Sequence, residues 1–120
     1  MSAAAVERVA TGTMFHVVER RYRELKLAEG LRDVGSGLGY WQPGVYLWAG
    51  LAEAERYREW MAVHYVCAFD IIEVEMTGLP LVRDPWFAGD GPADAEERAR
   101  WNDSWISAEP IGPERIVRVR

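Results

Sequence analysis

"PGVYLW", residues 43–48, is the stretch on which the fold turns. Val45, Tyr46, Leu47 and Trp48 are β-branched, aromatic or branched apolar residues that suit a pleated, packed surface. Gly44, beside Pro43, punctuates the entry. The run is too short for a helix and reads as a buried strand. It could have been wholly apolar, yet it carries a phenol at Tyr46, whose hydroxyl needs a partner once buried. The period then changes. "LAEAERYREWMAVHY", residues 51–65, sets Ala54, Tyr57, Met61 and Tyr65 at steps of three and four, the spacing of an amphipathic helix.

On the N-terminal side, "TMFHVV" (13–18) has strand composition, and "ERRYRELKLAEGL" (19–31) reads as a helix that Gly30 ends. Between them and the central strand, "RDVGSGLGYWQPG" holds four of the chain's 11 glycines and must be a loop. On the C-terminal side, "CAFDIIEVEMTGLPLV" reads as one or two strands interrupted at Gly78-Leu79-Pro80. A polar stretch over 84–97 leads into a short helix near 95–101, and "DSWIS" and "ERIVRVR" close the chain as strands. This order predicts an α+β domain with much antiparallel sheet over 13–120, preceded by a frayed lead-in over 1–12.

Composition narrows the function classes. The chain is 49% hydrophobic and 28% charged, as ordinary globular proteins are. A net charge of −5 argues against a general nucleic-acid binder, whose affinity comes from neutralising phosphates. No apolar run is long enough to span a bilayer and no basic-then-apolar leader opens the chain, so cytoplasm is the default expectation. Cys67 stands alone and forms no internal disulfide. With His16 and His64 it is one of only three soft ligands, too few for a structural zinc site, so no metal is expected. Cys67 precedes an apolar strand and reads as an inert thiol. The basic cluster Arg20, Arg21, Arg23, Lys26 and Arg32 could meet a small anion or simply form solvated helix faces.

His16 is the second polar ring in an apolar strand, between Phe15 and Val17, where it costs free energy unless its nitrogens are satisfied. Here the ordered set "FHVVERRYRELKLAEGL … GYWQPGVYLWAGLAEAERY" resembles the NAD-binding core of the ADP-ribosyltransferase superfamily, the poly(ADP-ribose) polymerase branch included. The elements that carry the resemblance are His16, Gly30-Leu31, Gly39-Tyr40, Gly44 to Leu47, and Tyr57 on the following helix. The later run "DIIEVEMTGLPLVRDPWF … DSWISAEPIGPERIVRV" is similar to small bacterial rifamycin ADP-ribosyltransferases through Val74-Glu75, Arg83-Asp84-Pro85 and Ser104 to Pro110.

The resemblance implies a split antiparallel sheet with flanking helices, and a mono-ADP-ribosyl transfer from NAD that releases nicotinamide. It assigns His16 to the ribose, Tyr46 to the catalytic trio and Tyr57 to stacking on nicotinamide. The carboxylate is Asp84 by the rifamycin-type pattern, Asp103 or its neighbour Ser104 at the start of a late strand by the polymerase-type pattern, or else Glu109 or none. Where the family has Gly then Ser or Thr after the His, this chain has Val17 and Val18, which leaves the backbone at Val17 to meet the nicotinamide amide. Arg32, or Arg20 and Arg21, would face the pyrophosphate. The acceptor is a small molecule or a protein, with nucleic acid disfavoured by charge. Two alternatives stand beside this: the same fold without chemistry, binding a nucleotide or a partner through exposed Trp side chains, and an RNA 2′-phosphotransferase, which needs a basic phosphate pocket.

Overall fold

A computed structural model of the chain describes residues 7–32, 44–84, 94–101 and 103–120, apart from the side chain of Arg98. The glycine loop with Gly39-Tyr40, and the stretch from Pro85 to Ala93, lie outside the described residues. Among the described residues, seven strands form one antiparallel sheet: β1 Arg8–Val9, β2 Thr13–Glu19, β3 Val45–Trp48, β4 Phe69–Glu75, β5 Pro80–Arg83, β6 Ser104–Ser107 and β7 Ile116–Val119. Their spatial order is β1-β5-β6-β3-β2-β4-β7. Three α-helices accompany them: α1 Arg23–Glu29 after a short 3-10 turn, α2 Leu51–Tyr65 and α3 Ala95–Arg100. The α+β, antiparallel reading of the sequence holds.

Alternation along the strands builds a core on each face of the sheet. One face gathers Met14, Val18, Val45, Leu47, Ile72 and Val74. The other gathers Phe15, Trp48, Ile71 and Trp101 against Ala54 of α2. The buried stripe of α2 runs through Ala54, Tyr57 and Met61 as its spacing predicts, but Tyr65 is 58% exposed. Tyr65 lies on the same angular face but is the last residue of α2, where the chain turns away through Val66 at φ 54°.

The lead-in is not loose where it is described. Arg8 and Val9 pair with Leu81 and Pro80, and Ala10 is buried in the first core. Its pairing partner lies some seventy residues downstream, so no local pattern announced it.

Two local features fix the helices. Gly30 ends α1 at φ 85°, and its bare Cα lies against the backbone of Ile111 to Pro113. The adjoining Leu31 and Ile111 exchange both backbone hydrogen bonds at 2.7 Å. Asp94 caps α3 by accepting from the Glu97 amide at 2.8 Å.

Candidate functional site

The sheet has one weak seam. β2 pairs with β4 without a break from Thr13↔Glu75 to Glu19↔Phe69, and β3 pairs with β6 along its whole length. β2 and β3 meet only at Phe15↔Trp48. Beyond that rung they part, and the imidazole of His16 occupies the opening. Its Nδ1 lies 2.8 Å from the carbonyl oxygen of Tyr46. A carbonyl can only accept, so Nδ1 carries the proton and Nε2 presents a lone pair. His16 is 7% exposed. Burial pushes its pKa down to about 4, against the upward pull of the Tyr46 carbonyl and with a further downward push from the nearby Lys26 charge. At neutral pH the ring is therefore an uncharged hydrogen-bond acceptor, able to take a hydroxyl proton donor such as a ribose OH.

The Tyr46 phenol leaves the fork on the other side. Val45 and Leu47 pack with Met14 and Val18, whereas Trp48 packs with Phe15. Alternation therefore places the half-buried Tyr46 side chain on the Trp48 face, and His16 on the Met14 face. The imidazole meets the backbone of Tyr46 rather than its ring. Tyr57 reaches the phenol's face from α2, with ring centroids 5.0 Å from Trp48 and 5.5 Å from Trp101. Val17 packs in the same cluster.

Asp84 follows β5 and is 3% exposed. Its Oδ2 accepts from the Ser104 hydroxyl at 2.8 Å, and its amide donates to the Ser104 carbonyl at 3.2 Å. Ser104 stands opposite Trp48, so Asp84 shares the face of Tyr46 and Tyr57. Register sets it two strands across and two residues along from Tyr46, because Tyr46 faces Ile106 and Ile106 faces Val82. Asp103 lies close by: its carbonyl accepts from Ala49, and Oδ1 accepts from the Trp105 indole at 3.4 Å. Burial first, and then the Asp103 charge, raise the pKa of Glu53 on α2. Glu109 is exposed.

The basic cluster is divided. Arg20 and Arg23 converge on the buried Asp70 at 2.9 and 3.1 Å. Hydrogen bonding from Arg20 leads in holding that carboxyl below the usual range. Arg21 pairs with Glu19 at 3.3 Å. Arg20 and Arg21, expected to face a pyrophosphate, are thus already engaged with carboxylates. Arg32 is exposed. Lys26 differs from all of them: it is half-buried, desolvation lowers its pKa, and it makes no ion pair with the described residues. The sequence names it only as one member of the basic cluster that could meet a small anion, with nothing to set it apart from its neighbours.

The remaining candidates fall away from the fork. The thiol of Cys67 points to Glu19 Oε1 at 3.4 Å, and burial and that carboxylate push it up, away from nucleophilic use. His64 stacks on Trp60 with centroids 4.7 Å apart. No three-ligand metal group occurs among the described residues. Trp48, Trp101 and Trp105 are buried, while Trp60 is 43% exposed beside a groove of about 460 Å³ that Arg56, Val63 and Trp101 help to line. None of that groove's lining comes from β2 or β3, so it is not the fork. No helix among the described residues is long and apolar enough to cross a membrane.

Burial of a neutral His16 makes a pH prediction. Between about pH 6.5 and 4 the unfolded chain takes up a proton at His16 that the folded chain refuses, so stability falls as pH falls through that window. The loss amounts to about 3 kcal/mol once the folded pKa is reached. Asp70 acts separately and at lower pH, because its stabilisation is lost as pH falls from the ordinary carboxylate range toward its depressed pKa. Urea titrations at stepped pH should show the first slope in the native chain and its absence in His16→Gln. An equal slope in both would assign the window to other groups.

No protein-family model and no curated protein matches the chain.

Proposed function

We propose that the chain is an NAD-dependent mono-ADP-ribosyltransferase with the fork between β2 and β3 as its cofactor cleft. The observation that carries the reading is the neutral His16 ring seated where the two strands part, its Nδ1 committed to the Tyr46 carbonyl and its Nε2 left to accept. Support comes also from the face shared by Tyr46, Tyr57 and Asp84, opposite that of His16, and from β2 and β3 being joined at a single rung.

In this reading the Tyr57 ring packs against nicotinamide on the Trp48 face, and His16 Nε2, which projects from the opposite face, accepts from a ribose hydroxyl only where the dinucleotide enters the fork between the two faces. The bond between ribose C1′ and the nicotinamide nitrogen breaks with its electron pair leaving on nicotinamide, which becomes neutral. Positive charge develops on the ribose, and the carboxylate of Asp84 stabilises it. The acceptor attacks C1′ and gives up its proton to solvent, which balances the positive charge lost when nicotinamide leaves neutral. One oxygen of Asp84 stays fixed by Ser104, which orients the other.

One observation favours a binding module without chemistry: Asp84 is bonded to Ser104 and lies two strands from Tyr46. Incubation with NAD separates the two readings. The transferase releases nicotinamide over hours, and Tyr46→Ala and Asp84→Ala each lower that release at least about tenfold. NAD binding with no release assigns the module instead. Neither binding nor release defeats both.

A further inference from the structure

We infer that Lys26, beside His16 and backed by the Arg20–Arg23–Asp70 cluster, receives the pyrophosphate of the dinucleotide, a role that holds only if the fork binds NAD as proposed above. Asp70 and His16 project from one face of the sheet. Their cross-strand partners are Val18 and Ile72, which sets them one strand apart and two residues along. Arg23 opens α1 and its guanidinium grips Asp70 at 3.1 Å, which pins the start of the helix over that face. Lys26 follows three residues later, on the same side of the helix as Arg23. The far end of α1 is fixed where Gly30 meets the backbone of Ile111. Both ends being held, Lys26 stays near His16, close enough for its charge to act on the imidazole.

Charge favours an anion there. Arg20 and Arg23 share the Asp70 carboxylate and Arg23 also reaches Glu24 at 3.3 Å, so the two guanidiniums are balanced and the positive charge left without a carboxylate among the described residues is that of Lys26. This local excess stands out in a chain whose net charge is −5. The guanidiniums already have their hydrogen bonds aimed at Asp70, whereas an ammonium with three rotatable donors and no carboxylate partner is open to phosphate oxygens. A half-buried cation without a counter-ion costs free energy, which an arriving phosphate offsets. His16 does not oppose the anion through charge, because its ring is neutral. In a dinucleotide the ribose hydroxyls and the pyrophosphate are neighbours, and the Lys26 charge is near enough to act on the His16 ring.

Calorimetric titration with NAD, ADP-ribose and nicotinamide riboside, at low and high salt, tests the assignment on the full chain. Lys26→Met is expected to weaken NAD and ADP-ribose about tenfold and to flatten their salt dependence, while nicotinamide riboside, which has no pyrophosphate, binds as before. Lys26→Arg keeps most of the affinity, and Arg21→Met, altering an exposed pair, changes little. Thermal unfolding of Lys26→Met guards against misfolding, and loss of the folded state moves the test to Lys26→Gln. Wild-type binding of ADP-ribose that Lys26→Met leaves intact overturns the Lys26 role alone. Wild-type protein that binds none of the three overturns the NAD reading with it.

Discussion

His16→Phe is expected to slow nicotinamide release from NAD by about a hundredfold to a thousandfold, the range seen when a positioned polar group is removed from a transition state. The phenyl ring fills the fork but can neither donate to the Tyr46 carbonyl nor accept from a ribose hydroxyl. The first loss costs stability, about 1–3 kcal/mol for a buried carbonyl left without its donor. The second costs activity. His16→Gln separates them, because an amide can donate and accept at once; it should recover much of the stability and part of the rate. Rates and denaturation midpoints are therefore read on the same preparations. A folded His16→Phe that turns over NAD like the parent would falsify the ribose role and leave the imidazole as a structural wedge.

Gly30→Ala is expected to remove about 3–5 kcal/mol of stability, a large share of what a domain of this size has. Two effects add. The residue sits at φ 85°, where a side chain is strained, and an added Cβ would stand 2.3 Å from the carbonyl oxygen of Ile111 and 3.0 Å from the next two backbone atoms. Backbone cannot rotate away as a side-chain tip can. Relief requires moving residues 111–113, which breaks the exchange between Leu31 and Ile111 and opens two residues that are 0% and 1% exposed. Gly78→Ala supplies the contrast: φ is 90° there, but nothing lies within 4 Å, so only the conformational cost of about 1 kcal/mol applies. Urea unfolding of the two variants should differ clearly in midpoint. Similar losses would show that the close approach at Gly30 contributes nothing.

The elements were legible because each has its own period or punctuation. "GVYLW" and "LAEAERYREW" could hardly be mistaken for each other, and Gly30 ends its helix as its position suggested. What local pattern could not carry was pairing at a distance. β1 was invisible because its two residues acquire meaning only beside Leu81 and Pro80. The buried acids of β4 were equally hidden: Asp70 and Glu73 look like interruptions of an apolar strand until Arg20, Arg23, Arg118 and Arg120 come round to meet them.

At the site, His16 and Tyr46 stood out as polar rings in apolar strands, but the two rings project from opposite faces of the sheet and only the Tyr46 backbone adjoins the imidazole. Their contact runs through a carbonyl, which every residue has and no sequence pattern advertises. The choice among Asp84, Asp103 and Glu109 had no basis in spacing. Burial separates them, with Asp84 enclosed beside Ser104 and Glu109 in solvent.

The strand order also bears on how the chain reaches this state during synthesis. β2 emerges early, yet its long ladder waits for Phe69 to Glu75, and β1 waits longer still for β5. Between them the nascent polypeptide carries β-rich edges with nothing to bond to, a condition that slows folding and invites association with other chains. Pairing of β4 is complete only once β7 is present, and shortening the chain before Ile116 leaves β4 with one flank bare.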